Sequence, residues 1–490
     1  MRLLEAAGIA GLLLYTPHLF FPAVGPEGIF AFVLCIAMLA IAYHLWFEGY
    51  RWQMAPAYGL AIGLVLYECM HWLWGLHAPH LAGVAALVFV LAAIVLCILL
   101  PVFRLPAPTG PYRVGTQSRH IIDGSRRDSF SDDPNSGREL MIQIWYPADP
   151  TARKPALAPY RDRRITALKD AHFALVKSNS VLGARLAPSE HRYPVLLYTP
   201  SWSGLRTECT FQVEEMASHG YVVVGIDHPY SSRIVVFPDG RIARRKFQGN
   251  EDYSSEAAVE EFVRTADQQV KIRAEDARFV LDTLEHLDEN DPDGLLTGRL
   301  DLARAGIFGF SLGGGTAAQA CWLDRRFRAG LDMGGMIAGE SAKQGTFAPF
   351  LFMFEGMYES FPYTPRADIS NVSASKRRDI EFTRRQFEQM KRLLSEHGGY
   401  WMMIDEVRHM DFSDSPFFSP LRCRPVKLEH VARIISRYSR AFFDKHLKGM
   451  RPTLLNGLSS ETPEVRFQVW KGRAALNLQP TEGAVWIDKG

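Results

Sequence analysis

One short stretch decides the fold: residues 305–315 read AGIFGFSLGGG, and the chain continues with TAAQA. The apolar run at its start is typical of a buried strand, and the small residues at its end favour a helix. A serine on so tight a turn needs neighbours without side chains two positions before and after it, and Gly309 and Gly313 stand there. The stretch therefore predicts a strand, a sharp turn that exposes Ser311, and a helix.

We interpret Ser311 as a nucleophile. Such a turn presents the hydroxyl above the sheet and aims the following backbone amides at developing negative charge. The five-residue pattern alone also fits an ordinary glycine-rich turn, and its place between a strand and a helix is what favours the nucleophile. A phosphate-binding loop would need a lysine after the glycines, and none follows them here.

The surrounding sequence alternates short apolar runs with helical patterns. Helical periodicity is found over residues 208–219 and 257–287. This alternation predicts an α/β fold with a mostly parallel sheet covered by helices on both faces, and ligands bind such sheets beyond the carboxyl ends of the strands. The strand-like runs are residues 195–198, 221–226, 305–308, 329–331, 350–354 and 401–404.

A nucleophilic serine needs a base, which in this fold comes later in the chain. His409 lies in a loop just past the last apolar strand, and we predict that it is this base. The acid that orients the histidine has two candidates. Asp332 ends the strand after the nucleophile helix and Glu355 ends the next strand, so either could reach His409.

The front of the chain has a different composition. The chain has 55 Lys and Arg and 53 Asp and Glu, yet only six of these precede residue 104. Crossing a bilayer takes about 20 apolar residues in a helix. Four stretches approach that length, which predicts a four-helix transmembrane region over residues 1–103, a linker over 104–134 and a catalytic domain over 135–490. The four stretches are residues 3–21, 28–47, 55–76 and 81–102.

The arginines predict the orientation in the membrane. Arg2, Arg51 and the group Arg104, Arg113 and Arg119 fall on one side of a chain that crosses four times, so the catalytic domain is expected on the cytoplasmic side. Inside the third stretch, Glu68 and His71 share a helical face. Intramembrane ionisable groups are often functional, and a role in helix packing is the alternative.

Composition also argues against several classes of function. A net charge of +2 gives no reason to expect a nucleic-acid partner, and the six cysteines form no CxxC pair that would indicate zinc or a disulfide framework. We expect neither a metal nor an organic cofactor. The oligomeric state stays open.

Beyond these patterns, the chain resembles a known family, the plasma and intracellular type-II platelet-activating factor acetylhydrolases and their bacterial relatives. The resemblance covers roughly residues 135–450. It implies the α/β-hydrolase fold, prefers Asp332 over Glu355 as the acid, and places the oxyanion-binding amides at Leu312 and Trp202. The residues that carry it are PVLLYTPSWSGLRT at 194–207, MASHGYVVV at 216–224, GFSLGG at 309–314, GLDM at 330–333 and the His409 loop.

The chain departs from the family pattern in two places. Pro200 and Ser201 stand where the family usually has a His-Gly pair at the start of the oxyanion loop. Residues 358–399 form a long insertion whose basic amphipathic helix, 373–396, is either a solvated surface helix or a lid lying on anionic lipid.

Together these observations predict a membrane-anchored serine esterase that cleaves phospholipids with short or oxidised acyl chains. Two alternatives keep the same triad: transfer of the acyl group to an alcohol, or hydrolysis of another small ester such as a dienelactone or a polyester fragment. A third alternative is an inactive hydrolase domain that serves as a membrane scaffold.

Overall fold

The structure of the protein is a computed structural model. The described residues are 2–21, 27–75, 80–133, 136–149, 156–165, 168–189, 191–247, 252–359, 363–364, 368–421 and 425–473.

Thirteen strands and ten α-helices are formed within the described ranges. The strands are β1 (Arg113–Arg127), β2 (Gly137–Ala148), β3 (Leu157–Pro159), β4 (Lys177–Leu182), β5 (Tyr193–Thr199), β6 (Val222–Asp227), β7 (Ile234–Val236), β8 (Ile242–Arg244), β9 (Leu300–Phe310), β10 (Phe327–Met333), β11 (Phe350–Glu355), β12 (Gly399–Ile404) and β13 (Val465–Trp470). The helices are α1 (Leu3–Phe20), α2 (Glu27–Tyr43), α3 (Ala55–Trp74), α4 (His80–Leu99), α5 (Thr210–Ser218), α6 (Glu256–Glu289), α7 (Leu312–Leu323), α8 (Ser341–Gln344), α9 (Ala374–His397) and α10 (Pro425–Lys448).

Eleven of the strands form one sheet, in the order β13-β12-β11-β10-β9-β5-β6-β2-β1-β4-β3. Strands β12, β11, β10, β9, β5 and β6 run parallel to one another, while β13 and β2 flank them antiparallel. The parallel centre confirms the predicted α/β-hydrolase fold. It also brings the carboxyl ends of six consecutive strands to one edge of the sheet.

The central parts of the parallel strands are apolar because helices cover both faces of the sheet there. On one face, α6, α7 and α9 bury small and branched side chains against the strands, among them Ala277, Ala317 and Leu393. On the other face, Phe443 of α10 contacts Phe308 of β9, with ring centroids 6.0 Å apart. A sheet that is packed on both faces holds the side chains at its edge in fixed positions.

One predicted boundary differs from the structure. Residues 104–134 were expected to be a linker, but they contain the 15 residues of β1, which pairs antiparallel with β2 from Arg113 opposite Ala148 to Arg127 opposite Gly137. The strand is hard to recognise in the sequence because only five of its residues are apolar or glycine and it lies close to the sheet's edge, where polar side chains meet solvent.

The chain divides into two compact units. The first comprises Met1–Arg104, Pro159–Ser178 and Ser415–Pro425, and the second comprises Leu105–Ala158, Asn179–Asp414 and Val426–Gly490. The second unit holds the parallel centre of the sheet and every predicted site residue. The first holds helices α1 to α4.

Helices of the first unit approach one another at glycines. A side chain at Gly11 would lie 2.7 Å from the Cβ of Ala37, and one at Gly8 would lie 2.9 Å from Ile41, so α1 and α2 are in backbone-close contact. Small residues at helix crossings are typical of membrane bundles, in which helices associate through close packing.

The outside of this bundle is apolar and its inside holds charge. Large apolar side chains such as Phe32, Leu39 and Leu91 are exposed, while the Arg51 guanidinium is buried and bonds the Glu5 carboxylate at 2.9 Å. A soluble bundle has the opposite polarity.

Within the part of the chain that the structure describes, three helical segments are long and apolar enough to cross a membrane: Leu3–Phe20, Gly28–Glu48 and His80–Leu99. The fourth predicted span forms helix α3, which is 20 residues long and carries Glu68 and His71 but is not among these three segments. The predicted count of four spans therefore stays a prediction.

Candidate active site

Ser311 lies on a strained turn between β9 and α7. Its backbone has φ 56° and ψ −125°, and it is one of only four described non-glycine residues with positive φ. A non-glycine residue in such a conformation costs roughly 1–3 kcal/mol and persists only where its surroundings enforce it. Here the Ser311 amide donates to the carbonyl of Met333 at 2.8 Å, which ties the turn to the end of β10.

The two glycines of the turn are required by close approach. A Cβ atom at Gly309 would lie 2.1 Å from the carbonyl oxygen of Gly313, and one at Gly313 would lie 2.1 Å from the carbonyl oxygen of Thr199. No side chain fits at either distance. The sequence pattern therefore marks a real steric constraint, and it brings the end of β5 against the serine turn.

His409 reaches the same edge of the sheet. It opens a short 3-10 helix five residues after β12, and its ring centroid lies 4.9 Å from that of Phe310, the residue before Ser311. A side chain at Gly334 would lie 3.0 Å from His409 Nδ1. The imidazole of the predicted base therefore lies beside the serine turn.

The carboxylate bonded to His409 is Glu355. The His409 Nδ1 atom lies 2.9 Å from Glu355 Oε1, and the carboxylate is buried while the imidazole is 38% exposed. The carboxylate that this hydrogen bond places beside His409 is therefore Glu355, the alternative acid, and not Asp332, which the resemblance preferred. The strand order explains it: β11, which ends in Glu355, lies between β10 and β12, so its end is nearest to the loop that carries His409.

Asp332 lies beneath the serine turn in a different environment. Its Oδ1 atom accepts a hydrogen bond from the Gly335 amide at 2.7 Å, and its Oδ2 atom has no hydrogen-bond partner among the described residues. Burial raises the pKa of Asp332 well above its usual value. The Gly335 hydrogen bond and the charge of His409 lower this pKa in part, and the charge of Glu355 adds a smaller upward effect.

The two predicted oxyanion residues come together. Leu312 is the first residue of α7, and Trp202 follows β5 in the turn that packs on Gly313. Their side chains share an apolar cluster, which extends to a second cluster through Trp202 and Met336. The other members of the two clusters are Val259, Phe262, Ala266, Val270, Ala338, Tyr253 and Phe382.

Buried charged and titratable side chains, which the sequence did not reveal as part of the site, lie behind the turn that holds Trp202. Arg273 and Asp276 of α6 are fully buried, and His228 after β6 is buried between them and β5. Burial lowers the pKa of His228 to about 4, so its ring is neutral near pH 7. The available signal was the position of Arg273 and Asp276 on the apolar stripe of α6, where charge is unexpected.

The basic helix of the insertion forms α9. Its exposed face carries Arg377, Glu381, Arg385, Glu388 and Arg392, which are three or four residues apart and alternate in sign. Its apolar residues are turned inward, and Ile380, Met390 and Leu394 are buried. This pattern favours the solvated surface helix over the lipid-bound lid, because no apolar face is left for a membrane. Parts of the insertion, 360–362 and 365–367, lie outside the described residues.

The fold and this edge of the sheet define an α/β hydrolase of the ester-hydrolysing kind. The family model for platelet-activating factor acetylhydrolase, isoform II, matches residues 100–421, so the chain belongs to that family and the predicted resemblance is confirmed. The match also includes β1 and the whole stretch predicted as a linker, residues 104–134.

Individual relatives agree with this assignment. A probable 1-alkyl-2-acetylglycerophosphocholine esterase of Arthroderma benhamiae is 25% identical over 402 residues, which cover 74% of this chain and 94% of the relative. A platelet-activating factor acetylhydrolase of Cavia porcellus is 23% identical over 273 residues, covering 52% of this chain and 61% of the relative. Among solved structures, a ferulic acid esterase from Streptomyces cinnamoneus is similar with a TM-score of 0.57 and 28% identity, over 75% of this chain and 99% of the esterase.

Proposed function

We propose that this protein is a membrane-anchored serine esterase that hydrolyses short acyl esters of phospholipids through Ser311, His409 and Glu355. The observation that carries the proposal is the strained Ser311 turn with the bonded pair of His409 and Glu355 at the same sheet edge. The triad differs from the predicted Ser-His-Asp set only in its acid.

The proposed reaction begins with attack by Ser311 Oγ on the ester carbonyl carbon. Because Nδ1 of His409 is bonded to Glu355, the serine proton passes to Nε2, and the buried carboxylate stabilises the resulting imidazolium. The tetrahedral oxyanion accepts hydrogen bonds from the amides of Leu312 and Trp202. The alcohol leaves with the proton from Nε2, and an acyl-serine remains.

Water completes the cycle. His409 Nε2 takes a proton from a water molecule, whose oxygen attacks the acyl-serine carbon, and the returned proton restores the Ser311 hydroxyl as the free acid departs. Every step uses side chains and backbone amides of this chain.

The preference for a short acyl group is supported by the packing beside the proposed oxyanion amides. Trp202 and Met336 pack against the apolar cluster that contains Leu312 and against a second cluster that contains Phe262 and Phe382, so large apolar side chains line that side of the site. An acetyl group needs little more room than the reacting carbonyl itself. The phospholipid head is suggested by the relative named as an acetylglycerophosphocholine esterase.

Membrane anchoring is supported by the three apolar segments and by the inverted polarity of the first unit. Arg51 donates hydrogen bonds to the Cys97 and Leu100 carbonyls, and Arg2 donates to the carbonyl of Glu48, so these arginines share one end of the bundle with the exit of α4. With positive charge on the cytoplasmic side, residues 1–103 would hold the catalytic domain there.

An ester panel tests the proposed activity. The full-length chain, purified in detergent, is offered 1-alkyl-2-acyl phosphocholines of graded acyl length, acetyl esters without the phosphocholine head, and a feruloyl ester. We expect the highest kcat/KM for the acetyl phospholipid and no turnover in Ser311→Ala. A preference for the feruloyl ester would replace the proposed substrate class, and full activity of Ser311→Ala would end the proposal.

A further inference from the structure

The backbone after β5 is bound from behind by a buried arginine. We call residues 199–202 the oxyanion loop. Arg273 of α6, fully buried, donates from Nη1 to the carbonyl of Pro200 at 2.8 Å and from Nη2 to the carbonyl of Ser201 at 3.2 Å. The same guanidinium donates to Ser231 Oγ at 2.7 and 3.0 Å, which fixes its own orientation.

Two further groups hold the same loop. Thr199 Oγ1 lies 3.0 Å from His228 Nε2, and His228 Nδ1 lies 2.8 Å from the carboxylate of Asp276, one turn beyond Arg273 on α6. On the other side of the loop, Glu208 accepts from the Ser201 amide at 2.9 Å and from its hydroxyl at 2.7 Å. Three consecutive loop residues are therefore held by side chains.

We propose that Arg273 is a positioning residue that sets the direction of the Trp202 amide in the oxyanion hole. In a trans peptide the carbonyl and the following N–H lie in one plane and point in opposite directions. Because the Ser201 carbonyl points at Arg273, the Trp202 N–H points away from α6's buried arginine. The Thr199 carbonyl packs on Gly313, so the oxyanion loop lies beside the serine turn. The Trp202 N–H can therefore point toward that turn.

The chemistry of the contact explains why an arginine is needed. A guanidinium presents several donors in a rigid plane, so it can bind two adjacent carbonyls and the Ser231 hydroxyl together, whereas a lysine ammonium acts as a point charge. The carboxylates of Asp276 and Glu208 offset the cost of burying the charge.

This inference rests on the proposed function, and its test separates the two. The full-length chain is compared with Arg273→Lys, Arg273→Met and the control Arg278→Met, which removes a partly exposed arginine from the same helix. Two quantities are measured: kcat and KM for the acetyl ester, and the rate at which a fluorophosphonate modifies Ser311, a reaction that also passes through an oxyanion.

We expect kcat and the modification rate to fall together by about 10²–10³ in both Arg273 variants, with KM within about twofold of wild type, because loss of an oxyanion donor acts on the transition state. The control should keep both values. If neither Arg273 variant folds, Ser231→Ala loosens the guanidinium without touching the loop and should lower both rates by about tenfold, since one anchor of three is lost.

The inference would be overturned by wild-type modification rates in the Arg273 variants, or by a rise in KM alone, which would indicate substrate binding instead. Equal losses in Arg278→Met would also overturn it, because they would reflect general weakening of α6. If the fluorophosphonate does not modify Ser311 in the wild-type chain, the proposed function itself is contradicted. If it modifies Ser311 equally fast in the wild type and in the Arg273 variants, only the inference about Arg273 is contradicted.

Discussion

Replacement of Glu355 by glutamine tests the acid of the proposed triad. The change keeps the size of the side chain and removes its charge from a group that is 1% exposed and 2.9 Å from His409 Nδ1. Two unit charges with centres roughly 4 Å apart interact by about 4 kcal/mol at an effective dielectric constant near 20. At about 1.4 kcal/mol per tenfold change, this corresponds to a loss of about 10³ in kcat.

A second effect adds to this loss. A glutamine that donates its amide hydrogen to Nδ1 would favour the tautomer with the proton on Nε2, which cannot accept the serine proton. Loss of both charge and tautomer lowers turnover by up to about 10⁴ in serine hydrolases. We therefore expect Glu355→Gln to reduce kcat by about 10³–10⁴ with little change in KM.

The assay compares Glu355→Gln with Asp332→Asn and with Glu388→Gln, an exposed control on α9. Hydrolysis of the acetyl ester is followed at pH 7 with full-length protein in detergent. Because burial favours the neutral form of Asp332, to which an asparagine amide is nearly isosteric and equally uncharged, we expect Asp332→Asn to lose less than about tenfold in kcat. A large loss in Asp332→Asn with a mild loss in Glu355→Gln would refute the reasoning and restore the acid that the family resemblance preferred.

Asp332 also predicts a pH dependence of stability. A carboxyl whose pKa is raised in the folded state holds a proton that the unfolded chain releases above about pH 4, so folding stability falls as the pH rises through that window. Asparagine does not ionise, so Asp332→Asn does not lose folding stability in this way as the pH rises. The Tm of Asp332→Asn minus that of wild type should therefore increase from pH 4 to pH 8, and a difference that stays constant with pH would show that the carboxyl is ionised in the fold.

Three further predictions concern packing. Met336→Ala should raise kcat/KM for butyryl relative to acetyl esters by about tenfold, since a pocket distinguishes small apolar groups by that order; an unchanged ratio in the ester panel would place the acyl group elsewhere. Gly313→Ala should destabilise the fold by about 3 kcal/mol because the new Cβ meets the Thr199 carbonyl, and a wild-type Tm would contradict that contact. Arg51→Met leaves the buried Glu5 with Arg2 alone and should cost about 3 kcal/mol in denaturant unfolding of the micelle-bound chain, whereas an unchanged midpoint would show that the pair is dispensable.

The fold was predictable because its signals are local. Alternation of apolar runs with helical periodicity gives the parallel sheet, and the glycines around Ser311 give the turn, since only glycine fits where a carbonyl lies 2.1 Å from a Cβ position. The apolar segments before residue 104 were equally plain. Strand β1 was missed because it is a polar strand near the sheet's edge, and its pairing with β2 is not a property of its own sequence.

The site was predictable only as far as chain order allows. Residues at strand ends can be assigned to one edge of the sheet, which gave Ser311, His409 and two candidate acids. The choice between the acids depends on the order of β10, β11 and β12 in space, and the family resemblance favoured the one that the structure does not bond to His409. Arg273 was missed for a related reason, because its partners are backbone carbonyls more than 70 residues away in the chain.

The central claim is tested most directly by trapping the acyl-enzyme. The full-length protein is mixed with a 1-alkyl-2-acetyl phosphocholine, the reaction is quenched with acid within one turnover, and peptides are analysed by mass spectrometry. We expect an acetyl group on Ser311 of the wild-type protein. When an activated ester acetylates Ser311 in His409→Ala, we expect the acetyl group to persist longer than in the wild type, because the base that activates water is absent. Continued turnover with the acetyl group on another residue, or with none on Ser311 at any time point, would contradict it.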